Sequence, residues 1–396
     1  MKQQNKIPTL RFPEFSGEWE EKKIGSLGEF LGGGTPESSN KEYWQGNIAW
    51  ISSSDIKEGS IHQVDKSRFI TEEAIKESAT KIIPKKAILM VSRVGIGKFA
   101  VADEELCTSQ DFTNLVTNED SYFLAHYFLA RANRFIRLSQ GTSIKGFTGK
   151  DIKNAKFSIP QLPEQQKIAA FLTAVDSKIE LLQKKKQGLE QYKKGVMQQI
   201  FSQQLRFKDE KGNNYPDWEE KKLGDLFKFK QGVQCGVDKQ FEKQSNNMVR
   251  FIRIIDLTST NEPIRYIESV GDEHIIKVDD LFMVRYGTPG FVGYGYEGII
   301  ANNLFRLIPK TKVNTKFYYF VFNFLSKKLI GLSNSSTMPA LNFSSLGLLK
   351  IPIIPLEEQT KIANFLCAID DKIALVNTQL ENTQQFKKGL LQQMFV

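Results

Sequence analysis

The chain carries two copies of one plan, and this duplication limits what it can fold into more than any other feature. The stretch Trp19–Gly25 (WEEKKIG) returns as Trp218–Gly224 (WEEKKLG), 199 positions later. Glu164 opens EQQKIAAFLTAVDSKIELL, which returns from Glu358 as EQTKIANFLCAIDDKIALV, and KKGVMQQIF from Lys193 returns from Lys387 as KKGLLQQMF, both 194 positions later. Of the 38 positions from 164 to 201, 19 are identical in the second copy. A repeat of this length makes each copy one structural unit. The material between these anchors is far less alike. Segments 26–155 and 225–350 share only scattered features: WISSSDI beside FIRIIDL, ILMVSR beside LFMVRY, and SYFLAHYFLAR beside KFYYFVFNFLS.

The similar segments have the spacing of long helices. Ile168, Leu172, Val175, Ile179, Leu182, Leu189, Val196 and Ile200 fall at alternating intervals of a heptad seam, interrupted by Lys186 and Lys193. The second copy supplies Ile362, Leu366, Ile369, Ile373, Val376, Leu380, Leu390 and Met394, interrupted by Thr383 and Lys387. Pro160 with Pro163, and Pro352 with Pro355, block helix upstream and let each begin at its glutamates. At 1.5 Å per residue each helix is roughly 57 Å long. A single seam leaves its apolar side in water, so the two helices are expected to pack on each other, and a duplicated chain favours antiparallel packing. The dissimilar segments contain short β-type runs (KAILMVS, FAVAD, KFSIP, FMVRY, GIIANNLFRLI, LLKIPII), glycine-rich turns, and one aromatic-rich helix each, near 121–137 and 315–330. The expected fold is α+β: two mixed domains in pseudo-two-fold arrangement, separated by two long antiparallel coiled-coil helices. The divisions are a first domain over 1–157, a helix over 158–203, a polar linker over 204–216, a second domain over 217–350 and a second helix over 351–396.

Composition narrows the function classes. With 40% hydrophobic and 25% charged residues the chain can bury a large core, and three scattered cysteines exclude both a disulfide framework and a four-cysteine zinc site. The amino terminus lacks the apolar stretch of a signal peptide, and the longest apolar run, FYYFVFNFL, is about half a membrane span, so a soluble, cytoplasmic protein is expected. A net charge of +9 suits a polyanionic partner without requiring one. No catalytic set emerges. His62, His126 and His274 are isolated in the sequence, and His126, inside an apolar helix, is expected to be a packed core residue. SRVGIGKF has Ser92 where a phosphate loop has its first glycine and no Ser or Thr after Lys98, so it is expected to be a β-turn. GGGT at 32–35 is expected to be a flexible turn. There is no Asn-Pro-Pro-Tyr-like tetrapeptide and no HExxH. Asp370 and Asp371 are expected to be solvated, and Lys184–Lys186 with Lys193 and Lys194 to be exposed helix faces or phosphate contacts. Phe317–Phe324 has core spacing, with base stacking as the alternative.

The arrangement as a whole resembles the specificity subunit of type I restriction-modification systems. The resemblance rests on two variable domains, each opened by W-E-x-x-x-(I/L)-G and closed by I-P-x-x-P followed by E-Q-x-K-I-A-x-F-L-x-x-(V/I)-D-x-K-I, and it spans essentially the whole chain. It implies two target-recognition domains that each read half of a bipartite, asymmetric site on double-stranded DNA. It also implies helices that set the spacer and dock two copies of a methyltransferase subunit, with two copies of a restriction/translocase subunit joining the full complex. The chain itself would carry no active site, metal or cofactor; S-adenosylmethionine, ATP and Mg would serve the complex. Two unlike domains can read two unlike half-sites, and a partner used twice needs the same surface twice. Candidate DNA contacts are polar residues of loops flanking the matched strands: Ser52, Ser53, Ser54, Arg93, Lys98, Gln110, Thr142, Ser143 and Lys145 in the first domain, and Arg253, Arg285, Tyr286, Thr288, Asn302, Asn303, Ser335 and Ser336 in the second. Arg, Asn and Gln suit base edges; Lys, Ser and Thr suit phosphates. Two other classes compete: a non-enzymatic scaffold pairing two partner proteins without reading DNA, and a nuclease with scattered carboxylates.

Overall fold

A computed structural model describes residues 6–138, 149–259, 262–333 and 339–396. The chain divides into two compact units: one runs to Lys185 and includes Val376–Val396, and the other is Lys186–Leu375. Each unit therefore takes a portion of both long helices, which cuts across the linear divisions expected from the sequence.

In the first unit the strands are β1 (Glu20–Lys23), β2 (Gly28–Gly32), β3 (Ile48–Ile51), β4 (Phe69–Ile70), β5 (Ile82–Ile83), β6 (Ile88–Met90), β7 (Phe99–Val101), β8 (Leu106–Thr108), β9 (Thr113–Thr117) and β10 (Lys156–Ile159). They form a pair β1-β10 and two four-stranded sheets, β2-β9-β6-β7 and β4-β3-β8-β5, with β3 parallel to β8. The second unit has β11 (Glu219–Lys222), β12 (Phe227–Gln231), β13 (Met248–Ile252), β14 (Arg265–Glu268), β15 (Ile275–Ile276), β16 (Leu281–Val284), β17 (Val292–Gly293), β18 (Gly298–Ile300), β19 (Leu304–Pro309) and β20 (Lys350–Ile353). Their order is the same with every label raised by ten: β11-β20, β12-β19-β16-β17 and β14-β13-β18-β15, with β13 parallel to β18. Sequences with little in common thus take one topology. Strands such as β6, β7 and β8 are buried on both faces, so they read as short apolar runs without alternation.

Between the sheets and the long helices sits an aromatic helix in each unit, Ser121–Ala130 and Thr315–Phe324. Asp120 caps the first by accepting from Phe123 N at 2.8 Å, and Asn314 caps the second by accepting from Phe317 N at 3.0 Å. Phe317, Tyr318, Phe320, Val321 and Phe322 are buried, so the core reading holds for these residues and their rings are not available to stack on bases.

The long helices are Leu162–Phe201 and Leu356–Gln393. Ile168, Leu172 and Val175 share a core with Leu390 and Met394 in the first unit, and Val196 and Ile200 share one with Ile362, Leu366 and Ile369 in the second. Two of the lysines that interrupt the heptads meet carboxylates of the other helix. Lys387 Nζ lies 2.7 Å from Asp176 Oδ1, and Lys193 pairs with Asp370. The order of the two contacts along the helices is antiparallel. Lys193 and Asp370 are therefore not the freely solvated groups expected from the sequence: an apolar seam admits a charge when an opposite charge faces it.

The duplicated anchors meet in space. Buried Glu164 accepts from Trp19 Nε1 at 3.3 Å and from Arg11 Nε and Nη2, both at 2.8 Å. Buried Glu358 accepts from Trp218 Nε1 at 3.2 Å and Arg206 Nε at 3.1 Å. The neighbouring glutamines repeat as well. Gln165 accepts from Asp120 N at 3.1 Å and donates to Pro160 O at 2.9 Å; Gln359 accepts from Asn314 N at 2.8 Å and donates to Ile354 O at 2.9 Å. The E-Q pair thus clamps the tryptophan strand and the aromatic helix to the start of each long helix. Residues 204–216 are consequently more than a linker. Leu205-Arg206-Phe207 repeats Leu10-Arg11-Phe12, with Phe207 on Phe365 as Phe12 is on Phe171.

Candidate nucleic-acid interface

In the first unit the ends of β2, β3, β6 and β8 bring four loops together. Ser52 precedes a single 3₁₀ turn, Ser53–Asp55; its backbone N–H donates to Asp55 Oδ2 at 2.7 Å, and Arg68 holds both Asp55 and Ser52 Oγ while lying over the Trp50 ring. Ser53 is buried, and its carbonyl accepts from Lys98 Nζ at 3.1 Å. Residues 92–98 form the hairpin between β6 and β7, with Gly95 and Gly97 at φ +100°, as the β-turn reading expected. Ser92 N and Arg93 N both donate to Asp111 O, at 2.7 and 3.2 Å, and Thr35 donates to Gln110. The Arg93 side chain is exposed and has no hydrogen-bond or ion-pair partner among the described residues.

The GGGT segment differs from its expected flexibility. A Cβ on Gly33 would stand 2.0 Å from Ser109 O, and one on Gly34 would stand 2.4 Å from Thr80 N. The glycines are there because the backbone passes between two others, and they anchor the loop cluster.

The second unit builds the same cluster with other side chains. Arg285 N donates to Asn303 O at 2.8 Å, as Ser92 N does to Asp111 O, so Arg285 occupies the place of Ser92, and Tyr286 that of Arg93. The Arg285 guanidinium donates to Gln231 Oε1 at 2.7 Å and stacks on Phe343, 4.2 Å from the ring centroid, while Gln231 also donates to Asn302 O. Arg253 is held by Asp256 through contacts of 3.0 and 3.3 Å and donates to Pro263 O at 3.0 Å. It stabilises its own turn, as Arg68 does in the first unit. Thr288 and Asn302 are exposed, Tyr286 is half-buried, and Asn303 Oδ1 is buried without a partner. Thr142, Ser143, Lys145, Ser335 and Ser336 lie outside the described residues.

Thus Ser52, Ser53, Ser54, Arg93, Lys98 and Gln110 gather in one cluster and Arg285, Tyr286, Thr288, Asn302 and Asn303 in another. Arg68 and Gln231 complete them. The sequence offered no signal for these two, because each acts through loops distant along the chain.

The long helices present a second repeated surface. Leu181 and Leu375 are 66% and 60% exposed, and Tyr192 and Phe386 are both 54% exposed. These are equivalent positions of the two copies. A large apolar side chain left in water at the same place twice points to a shared partner surface.

Burial pushes the Cys107 thiol up to about 11 and also raises Cys235 and Cys367, so none is an activated nucleophile. Burial holds His126 down to about 3, neutral near pH 7. No helix among the described residues is long and apolar enough to cross a membrane.

The family described as "type I restriction modification DNA specificity domain" matches residues 16–191 and again 215–384. The specificity subunit of type I restriction enzyme MjaIX from Methanocaldococcus jannaschii is 27% identical over 94% of this chain and 92% of its own length. That of EcoR124I/EcoR124II from Escherichia coli is 30% identical over 42% of this chain and 43% of its own. A crystal structure of a type I restriction-modification S subunit from M. genitalium has the same fold, with a TM-score of 0.66 at 18% identity, covering 98% of this chain and 99% of that one.

Proposed function

This chain belongs to the type I restriction-modification DNA specificity family, and on that premise we propose that it is the sequence-reading subunit of such a complex, each unit reading one half of a bipartite, asymmetric target on double-stranded DNA. One observation carries the reading. The units share their strand order and their buried clamps, yet differ at equivalent loop positions: Ser92 against Arg285, Arg93 against Tyr286, Lys98 against Phe291, Gln110 against Asn302. A frame kept while its loops vary suits a reader of two different half-sites. Arg93, Gln110, Tyr286 and Asn302 are the side chains we assign to the bases, and Thr288 to a phosphate. Ser52, Ser54, Lys98, Thr142, Ser143, Lys145, Ser335 and Ser336 are assigned to phosphates, with Arg68, Arg253 and Arg285 bracing the loops.

The helices set the spacer between half-sites, and the repeated Leu181/Tyr192 and Leu375/Phe386 positions dock two copies of a methyltransferase subunit. Two restriction/translocase subunits join in the full complex. S-adenosylmethionine, ATP and Mg act on those subunits, and this chain is non-catalytic. A scaffold that paired partners without reading DNA would account for the helices and leave the divergent loops without a cause. The test is to replace residues 225–350 by the equivalent domain of a relative and map methylated adenines in a host genome. We expect one half of the recognition sequence to change and the other to stay; a change in both halves, or in neither, overturns independent reading.

A further inference from the structure

His62, His126 and Asp176 are far apart in the sequence and come together in the first unit. Their ligand atoms lie within 4.8 Å of one another. His62 Nε2 is 3.4 Å and His126 Nε2 is 3.8 Å from Asp176 Oδ2. His62 Nε2, both nitrogens of fully buried His126, and Asp176 Oδ2 are buried and, among the described residues, meet no well-aligned hydrogen-bond partner. Four orphaned polar atoms in one place are costly, since each has lost its water.

We propose that His62, His126 and Asp176 bind a divalent transition-metal ion of the zinc class, which pins the loop 57–63, the aromatic helix and the first long helix together. Two imidazoles and a carboxylate are the donor set of a three-ligand zinc site, and imidazole selects such ions over Mg or Ca, which take oxygen ligands. In a tetrahedral site with bonds of about 2.0–2.1 Å, ligand atoms stand roughly 3.3 Å apart. The two contacts with Asp176 are near this spacing. The ion would satisfy three of the four orphaned atoms. His62 and Asp176 also line a cavity of about 450 Å³, with Gln63, Glu180 and Lys387, which gives the site access to water. Lys387 holds the other carboxylate oxygen at 2.7 Å and Gly59 O at 3.2 Å, fixing the ligand's orientation; its charge opposes the cation and keeps affinity moderate.

The second unit shows which of these groups the helix pairing itself requires. There the Asp370–Lys193 pair has Phe320 where His126 stands in the first unit, its ring centroid 5.2 Å from Lys193 Nζ. The Asp–Lys pair belongs to the paired helices. The histidines are an addition of the first unit, and packing alone would be served by another phenylalanine.

The test uses the untagged full chain and cobalt(II) chloride, read by equilibrium dialysis and by visible ligand-field absorption. We expect one cobalt per chain, a higher Tm with the metal, and slower hydrogen exchange over residues 57–63. The chain has three histidines, so His274→Ala is a clean control that keeps binding. His62→Ala and His126→Phe should each weaken binding at least tenfold. Should His126→Phe fail to fold, His62→Ala on the partly exposed loop decides alone. Absence of stoichiometric cobalt, as expected if a water fills the site, or unchanged affinity in His62→Ala, overturns the proposal. Neither result bears on DNA reading, which the domain exchange tests separately.

Discussion

The two units build one frame twice from largely different sequences, and two of the places where they differ are instructive. Both use a tryptophan, a glutamate and an arginine to tie an amino-terminal arm to a long helix, and both cross the helices with one Asp–Lys pair. They part company at the loop cluster, and at the knot around Asp176, where the first unit adds two histidines and the second has Phe320. What repeats is therefore whatever satisfies buried polar groups or fills the seam, because a change there leaves a charge unpaired or a void. What differs lies on exposed loops or in a pocket, where the fold tolerates change and specificity can be written.

The equivalence of the clamps can be broken most severely at the glutamates. Glu164→Ala removes the carboxylate shared by Arg11 and Trp19 Nε1, and Glu358→Ala the one shared by Arg206 and Trp218 Nε1; we expect each to cost about 3 to 5 kcal/mol in urea unfolding. The second should sit at the lower end, because Arg206 is 23% exposed against 13% for Arg11. A near-zero loss at either site would show that its clamp is ornamental.

The Asp–Lys pairs should separate more widely. Lys387 and Asp176 are 9% and 11% exposed, whereas Lys193 and Asp370 are 23% and 35% exposed. Lys387→Met, measured with a metal chelator present, is expected to cost about 3 kcal/mol, and Lys193→Met about 1 kcal/mol or less. Equal losses would mean that burial does not distinguish the two.

The mildest comparison concerns the loops and is read in DNA binding by the assembled complex. Arg93→Ala should weaken binding by about 1 to 3 kcal/mol, relax selectivity at one position and leave Tm unchanged, since no other group among the described residues uses that guanidinium. Arg285→Ala should weaken binding through the other half-site and also lower Tm, because Gln231 and Phe343 lose their partner. If Arg285→Ala leaves Tm untouched while Arg93→Ala lowers it, the assignment of reader and brace is reversed.

Much of this was legible in the chain. The heptads placed both long helices, the prolines marked their starts, and the repeated W-E-E-K-K and E-Q anchors marked the residues that clamp each copy together, because those features depend on local periodicity and on a duplication visible by alignment. The aromatic run Phe317–Phe324 read as core, and Phe317, Tyr318, Phe320 and Phe322 are core, while Phe324 is exposed. The repeated Leu-Arg-Phe was in view but hidden by an unequal spacing to the tryptophan.

Local pattern determined the elements; only the tertiary structure decided their partners. Arg253 and Arg93 look equally suited to a base edge, yet Asp256 occupies one and no side chain among the described residues occupies the other. Ser92 and Arg285 share a place because the backbone hydrogen bonds say so, and a strand shifted by one residue would have turned every such side chain to the other face. Lys193 looked solvated until the antiparallel helix set Asp370 against it. His62, His126 and Asp176 carried no shared spacing. Loop, aromatic helix and long helix had to fold against one another before those three side chains could converge, and convergence across long separations is what periodicity along a chain does not encode.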